Sequence, residues 1–587
     1  MSKNSDKSTS KSTSGSLIDF LRDEEFWYIL LTLFFFIRNV CYVYSKQGLL
    51  LNSDASGEMI LADHLNKVGG FLSKDWFYSS ELRVLNTQIV YKLGLLFFPH
   101  NWHLARTFSV GLFMLLLIAA GWYFMWVLGK KKKGFLFAAL LICPFGQWYA
   151  WNVIYNSYYV PHIVISLVSV AMFIRLLKTE KKSLRIVLIV LSVLLALVAG
   201  LGGVRQLMVC YIPLWMSVVI LFFTDSGNRV PVPGFKKTVL LKDKEIKADS
   251  DDSETDETGE EEKNVESGES TEEDKIKAKK PIYDSRFYMT IIASAILFGS
   301  FIGYLINDKV LSNIYSFKDY TETIWMEFNF ENIKIVLEQL CRQFGWIPYV
   351  KVLGFEGVVN FLSVILMIAM VAAFIILWKK FKALEKEEKI LLMYSTVGFA
   401  VMLILFAETW VYNESYWIPI LPFLFLPLIL LIRVEAKGIR SLLFAGAFML
   451  TLVLIALSTG KHPFIIGVPG SEQIQKVAYW LGNEQTEYTK GIAAFWSAPV
   501  VTELTDGKIE MWTVEDYDHL EPSTWLQVKE HSKLPEGKVF VLIPCSSADT
   551  DPYRKEELKS KVIYNDGEYI VYGLNNYMEY FGGGVSK

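Results

Sequence analysis

The sequence predicts an α-helical polytopic membrane protein with about eleven transmembrane helices, followed by a small extracytoplasmic α/β domain at the C-terminus. Three observations predict it. Hydrophobic residues make up 52% of the 587-residue chain and aromatics 15%, which is membrane-protein composition. About eleven apolar runs approach the roughly 20 residues that a bilayer-crossing helix needs. After the last run the pattern shifts to a helix and short strands punctuated by turn residues. A net charge of −3 gives no basis for a nucleic-acid partner. The cysteines (Cys41, Cys143, Cys210, Cys341 and Cys545) are scattered, with no metal spacing and no disulfide framework.

Residues 1–22 are rich in Ser, Lys and Thr and are expected to form a disordered cytoplasmic N-terminus. A first membrane region, 23–242, carries spans at 26–45, 104–128, 134–149, 158–177, 186–200 and 207–223. The first of these lacks a small-residue cleavage site and reads as an anchor. Residues 243–280 are dominated by Glu, Asp, Ser and Lys, can bury nothing, and read as a disordered cytoplasmic linker. A second membrane region, 281–457, carries spans at 287–306, 358–378, 390–406, 417–432 and 441–457. Two long outer loops result, 46–103 and 307–357. The second holds an amphipathic run at 333–344 and the aromatics Trp325, Trp346 and Tyr349. Residues 458–587 form the outer α/β domain, with a helix at 471–481 and strands at 491–496, 508–514, 538–544 and 561–574. The last strand is broken by the turn Asn565-Asp566-Gly567.

Basic clusters at 130–133, 175–185, 236–237, 379–389 and 433–440 set the orientation. With eleven spans and a cytoplasmic N-terminus, all of them fall inside. Counting the apolar stretch 84–98 as a span would put the later clusters outside, so it reads as a second juxtamembrane or re-entrant helix.

The first outer loop opens with the stretch 52–76. Asp54 and Glu58 stand at i,i+4 and share one face of a helix starting near Ser53. Met59, Ile60, Leu61, Leu65 and Val68 continue at helical spacing until Gly69-Gly70. The pattern predicts an amphipathic helix lying on the membrane surface. Its carboxylates are either a solvated helix start or a reaction centre. Arg205 follows glycines in the turn Gly200-Leu201-Gly202-Gly203-Val204-Arg205 at the outer end of a span. It would either bind phosphate bidentately or snorkel to the headgroups of membrane lipids. Arg83 and Arg106 bracket the juxtamembrane helix. Arg83 is placed to meet a phosphate, and Arg106 to fix that helix to its span. His162 follows Pro161 and is either structural or a substrate contact. Trp148, Tyr149, Trp151, Tyr155, Tyr158 and Tyr159 read as an interfacial belt in which one or two rings could stack on sugar.

The run from Asp54 to Leu128 resembles the GT-C superfamily of polyprenyl-phosphate-sugar-dependent glycosyltransferases, in its protein O-mannosyltransferase and lipid A aminoarabinose transferase branch. Asp54-Ala55, the helix to Val68, Gly69-Gly70 and Asp75-Trp76 resemble that branch's first outer loop. Trp102-His103-Leu104-Ala105-Arg106 and the Leu-rich span to Gly129 resemble the branch's next motif and span. The turn at Gly200 to Gln206 resembles a later family turn. Tyr416-Trp417-Ile418-Pro419-Ile420-Leu421-Pro422 resembles the Tyr-x-x-Pro-x-x-Pro opening of a late span. The family's second acid is Ala55 here.

The resemblance implies an integral membrane glycosyltransferase. It would move a sugar, with inversion, from a polyprenyl-phosphate carrier to an extracytoplasmic glycan, lipid or protein. Asp54 would be the base, with Glu58 beside it. Arg205 and Arg83 would hold the donor phosphate, and His162 and Tyr416 would contact substrate. No motif calls for an organic cofactor, and a divalent metal stays open. The alternatives are a transporter or flippase of lipid-linked sugars, or a catalytically inactive scaffold of the same fold. The charge pattern places the cluster at 130–133 in the cytoplasm, and the membrane expected alongside the resemblance is a bacterial plasma membrane. A cysteine introduced at Lys132 should therefore resist impermeant maleimide added to intact cells, and efficient labelling would invert the topology.

Overall fold

The computed structural model describes residues 24–79, 82–224, 285–317, 328–407, 414–431, 439–461, 472–547 and 556–582. The expected N-terminal tail, the acidic tract, Trp325, Lys236 and Lys237 lie outside the described residues. In chain order the membrane part holds α1 (Glu24–Leu50), α2 (Ser53–Val68), β1 (Trp76–Tyr78), α3 (Gln88–Phe97), α4 (Trp102–Val127), α5 (Gly134–Leu141), α6 (Val160–Lys178), α7 (Lys182–Gly200), α8 (Ile212–Thr224), α9 (Ser285–Lys309), β2 (Ser316–Phe317), α10 (Phe330–Gln343), α11 (Phe355–Lys379), α12 (Lys386–Ala407), α13 (Leu421–Leu431) and α14 (Ile439–Lys461). The C-terminal domain holds α15 (Glu472–Tyr479), β3 (Lys490–Ala494), α16 (Ala498–Leu504), β4 (Glu510–Val514), β5 (Gln527–Val528), β6 (Val539–Pro544), β7 (Val562–Asn565) and β8 (Tyr569–Leu574).

Among the described residues, eight helices are long and apolar enough to cross a membrane. They are α1, α4, α6, α7, α8 with the π-helical turn before it, α9, α11 and α12, and each overlaps an expected span. Of the other three expected spans, 441–457 falls in α14 and 417–432 contains α13, a helix of only 11 residues with Pro427 inside it. The third differs. The span expected at 134–149 is broken: α5 has 8 residues, about 12 Å of helix at 1.5 Å per residue. Pro144 lacks an N–H, and Gly146 is extended (φ −115°, ψ 165°) before the chain turns helical again from Gln147 to Tyr155.

A break at membrane depth exposes carbonyls that lipid cannot satisfy. Here side chains satisfy them. Asn39 of α1 donates to Ile142 O at 2.7 Å, Tyr149 to Leu141 O at 2.6 Å, and Thr459 of α14 to Phe145 O at 3.0 Å.

The stretch 84–98 yields α3, which at 10 residues is too short to span. The amphipathic run at 333–344 is α10. The C-terminal domain is a five-stranded sheet in the order β4-β3-β6-β8-β7, with β3 parallel to β4 and β6, and β8 antiparallel to β6 and β7. A second, small sheet ties three regions together. β1, between α2 and α3, runs parallel to β2 and antiparallel to β5 of the C-terminal domain, with Phe77 opposite both Ser316 and Gln527.

The second membrane region closes onto the first along α7 and α9. Glycines set this seam. A Cβ at Gly200 would run into Ser300 O, and one at Gly303 into Leu197 O. Small residues let helix backbones approach in membranes, where dispersion rather than water exclusion drives packing. Gly303→Val should therefore cost about 1–3 kcal/mol, read as a lowered Tm of the detergent-purified chain. Gly446→Val, where a Cβ meets nothing within 4 Å, serves as the control that leaves Tm in place.

Candidate active site beneath the C-terminal domain

The helix α2 begins where the sequence places it. Asn52 is the N-cap in extended conformation (φ −134°, ψ 172°), and its side chain accepts from Ala55 N at 2.9 Å. At the other end Gly69 adopts φ +83° and returns its N–H to Leu65 O. α2 is covered by protein on several sides. Its apolar stripe is divided between neighbours: Met59 and Ala62 join the core of the membrane part, while Leu61 and Leu65 pack with Trp76, Tyr78 and Leu82. α3 packs on one side and α16 of the C-terminal domain on another. Ser53, Ala55, Ser56, Gly57, Glu58 and Met59 are all buried.

Asp54 and Glu58 therefore sit in protein rather than at a solvated helix start. Asp54 keeps a partly accessible edge, but loss of water around its carboxyl dominates and pushes its pKa up to about 6. Arg83 pulls that value down, and Glu58 adds to the rise. Glu58 is buried, and its pKa is also raised by desolvation. Arg83, a hydrogen bond from Thr87 Oγ1 at 2.7 Å, and Arg106 all oppose that rise. Thr87 comes from the turn before α3, 29 residues on.

The cationic half of the site comes from two loops. Arg83 is buried between β1 and α3, with its guanidinium over the Tyr158 ring at 4.4 Å. Arg205 stands over two rings, Tyr159 at 5.2 Å and Tyr416 at 5.1 Å. Tyr158 lies within electrostatic reach of Arg83, Glu58, Asp54 and Arg205, and His162 within reach of Arg205 and Arg83. His162 is buried with Nδ1 3.0 Å from Gln206 Nε2, and Gln206 Nε2 also donates to His162 O. Asp54, Glu58, Arg83, His162, Arg205 and Tyr416 thus gather in one place. They arrive from the segment between α1 and α4, the start of α6, the turn before α8 and the turn before α13.

Thr87, Gln206 and the seating of Arg205 between Tyr159 and Tyr416 are additions that spacing alone did not mark. Among the described residues no group of three or more His, Cys, Asp or Glu side chains forms a metal site. The arrangement can accept a proton at a carboxylate poised near neutrality and can hold an anion between two guanidinium groups.

No family model matches the chain, and no curated protein matches it. Solved structures do. The chain is similar to ArnT from Cupriavidus metallidurans in the apo state, with 10% identity, a TM-score of 0.49, and coverage of 88% of this chain and 93% of that one. The same ArnT bound to undecaprenyl phosphate gives 10% identity, a TM-score of 0.48, and coverage of 92% and 97%. The archaeal oligosaccharyltransferase AglB from Archaeoglobus fulgidus, in complex with an inhibitory peptide and a dolichol-phosphate, gives 10% identity, a TM-score of 0.45, and coverage of 94% and 74%. Identity this low assigns no residue a role.

The raised value at Asp54 has a consequence for stability. The folded protein holds this proton to higher pH than the unfolded chain does. The group costs nothing below about pH 4, and its penalty grows as pH rises through about 6. Asp54→Asn removes the buried charge. It should raise Tm at pH 7.5 by the equivalent of about 1–3 kcal/mol and leave Tm unchanged at pH 4. Equal melting of the two forms at pH 7.5 would mean that the carboxylate is well solvated.

Proposed function

We propose that the chain is an integral membrane glycosyltransferase that moves a sugar from a polyprenyl-phosphate carrier to an extracytoplasmic glycan, lipid or protein, with inversion. The observation that carries the reading is the convergence of an acid pair with two arginines in one site. Inversion in one step needs a base for the acceptor and positive charge for the departing phosphate. Asp54 takes the base role. With a pKa of about 6 it is ionised at neutral pH and still basic enough to accept a proton.

The acceptor oxygen or nitrogen bonds to the anomeric carbon while its proton passes to Asp54. The bond from that carbon to the phosphate oxygen breaks, and its electron pair leaves with the lipid phosphate. Arg83 and Arg205 offer planar donor forks to that growing charge. The faces of Tyr158, Tyr159 and Tyr416 keep the guanidinium groups in place. Glu58, one turn behind Asp54, adds to the basicity of its carboxylate. His162 and Tyr416 border the sugar. In this reading the N-terminus is cytoplasmic, the C-terminal domain lies outside, and the membrane is a bacterial plasma membrane.

Purified protein with a radiolabelled polyprenyl-phosphate sugar and an envelope extract as acceptor tests the reading. Asp54→Asn should lower transfer on the order of 10²–10⁴-fold, with normal protein levels. Arg205→Lys should be intermediate, and Arg205→Gln worst in both donor affinity and turnover. Activity of the wild type should rise between pH 5 and pH 7 as Asp54 ionises. Near wild-type transfer by Asp54→Asn would remove it from the mechanism, and equal activity of the three forms at position 205 would leave Arg205 as an anchor.

A further inference from the structure

The C-terminal domain reaches into the site through one side chain. Glu503, on α16, has 1% of its side chain exposed, as does Arg106 on α4. The two form a two-pronged ion pair: Arg106 Nε donates to Glu503 Oε1 at 2.5 Å and Nη2 to Oε2 at 2.8 Å. The same Nη2 donates to Ala55 O at 2.9 Å. Ala55 is the residue directly after Asp54. Arg106 Nη1 donates to Tyr91 Oη at 3.1 Å, and Tyr91 Oη donates on to Asn156 O at 2.8 Å. The guanidinium also lies over the Tyr91 ring, 4.9 Å from its centre.

On the other side of Asp54, Ser53 Oγ donates to Phe495 O of the C-terminal domain at 2.5 Å. Asp506, just past α16, accepts from Trp102 N at 2.8 Å and so fixes the start of the helix that carries Arg106.

We propose that Glu503 is a positioning residue for Asp54, acting through Arg106, so that the C-terminal domain is a working part of the site rather than an appended module. The physical case is one of geometry and charge. Both neighbours of Asp54 in the chain are tied, directly or through one guanidinium, to the C-terminal domain. A buried guanidinium keeps its orientation only while a carboxylate faces it, because an unpaired buried charge is strongly disfavoured. If Glu503 loses its charge, Arg106 turns from the Ala55 carbonyl toward the nearest remaining anion. Glu58 already feels its field. The first turn of α2 then loses its outer tether, and with it the direction of the Asp54 carboxylate. The inference adds the C-terminal domain to the proposed reaction and rests on that reading only for the word catalytic. The tether itself is measurable without substrate.

Hydrogen exchange on the full chain in detergent, followed by mass spectrometry, is the test. Glu503→Gln should speed exchange in the segment 52–59 by about tenfold or more, while β6 and β8 in the middle of the C-terminal sheet change by less than about twofold. Glu503→Asp, which keeps the charge, should restore much of the protection. Arg106→Lys keeps the charge pair but lacks the fork to Ala55, so it should release the same segment even if Glu503→Gln folds poorly. With transfer in hand, Glu503→Gln should lower kcat, shift the acidic limb of the pH profile and leave KM for the donor in place. Unchanged exchange at 52–59 in both variants, or exchange raised equally in β6 and β8, overturns the tether. Loss of the segment's protection with Asp54→Asn still active would instead uphold the tether and sink the proposed reaction.

Discussion

Two carboxylates one helical turn apart, kept from water, set the terms for everything around them. Burial raises the proton affinity of both, and the charge of Glu58 raises that of Asp54 further. Left alone, such a pair would protonate or force the helix open. Arg83 and the Thr87 hydroxyl supply the opposing field and hydrogen bond. These partners come from the chain between β1 and α3, which must therefore fold back over α2. The small sheet of β2, β1 and β5 holds the start of that return, and α3 packs along α2. The acid pair thus accounts for why the long segment between α2 and α4 carries a strand and a helix instead of an open connection.

The same requirement, that no polar group be left stranded, explains the broken helix after α5. A continuous helix there would satisfy its own backbone. The break at Pro144 instead spends the side chains of Asn39, Tyr149 and Thr459 on carbonyls. What it delivers is a change of direction just before Tyr158, Tyr159 and His162, which line the cationic half of the site. The break places these rings under Arg83 and Arg205 rather than along the face of an uninterrupted helix.

Much of this was legible in the residues. Asn52 and Gly69 mark both ends of α2, and the i,i+4 spacing of Asp54 and Glu58 marks its working face. The strands of the C-terminal sheet follow their apolar runs to within a few residues, and Asn565-Asp566-Gly567 turns β7 into β8. Arg205 was legible as a charge at a span end, and Arg83 as a charge beside the short apolar stretch 84–98. Less was legible where partners are distant or elements short. Glu503 and Arg106 are separated by 397 positions, and nothing local distinguishes Glu503 from any other acid. β2 and β5 have two residues each and carry no period. For α2, amphipathicity reports that one stripe is apolar, not what covers the other. The C-terminal domain covers it, and only the folded chain shows that.

The glycines along α7 and α9 have a further meaning. Backbone touches backbone there, so the two membrane regions recognise each other by shape, as two subunits do. Covalent continuity between them supplies proximity, not specificity. The chain is in this sense a heterodimer written as one polypeptide.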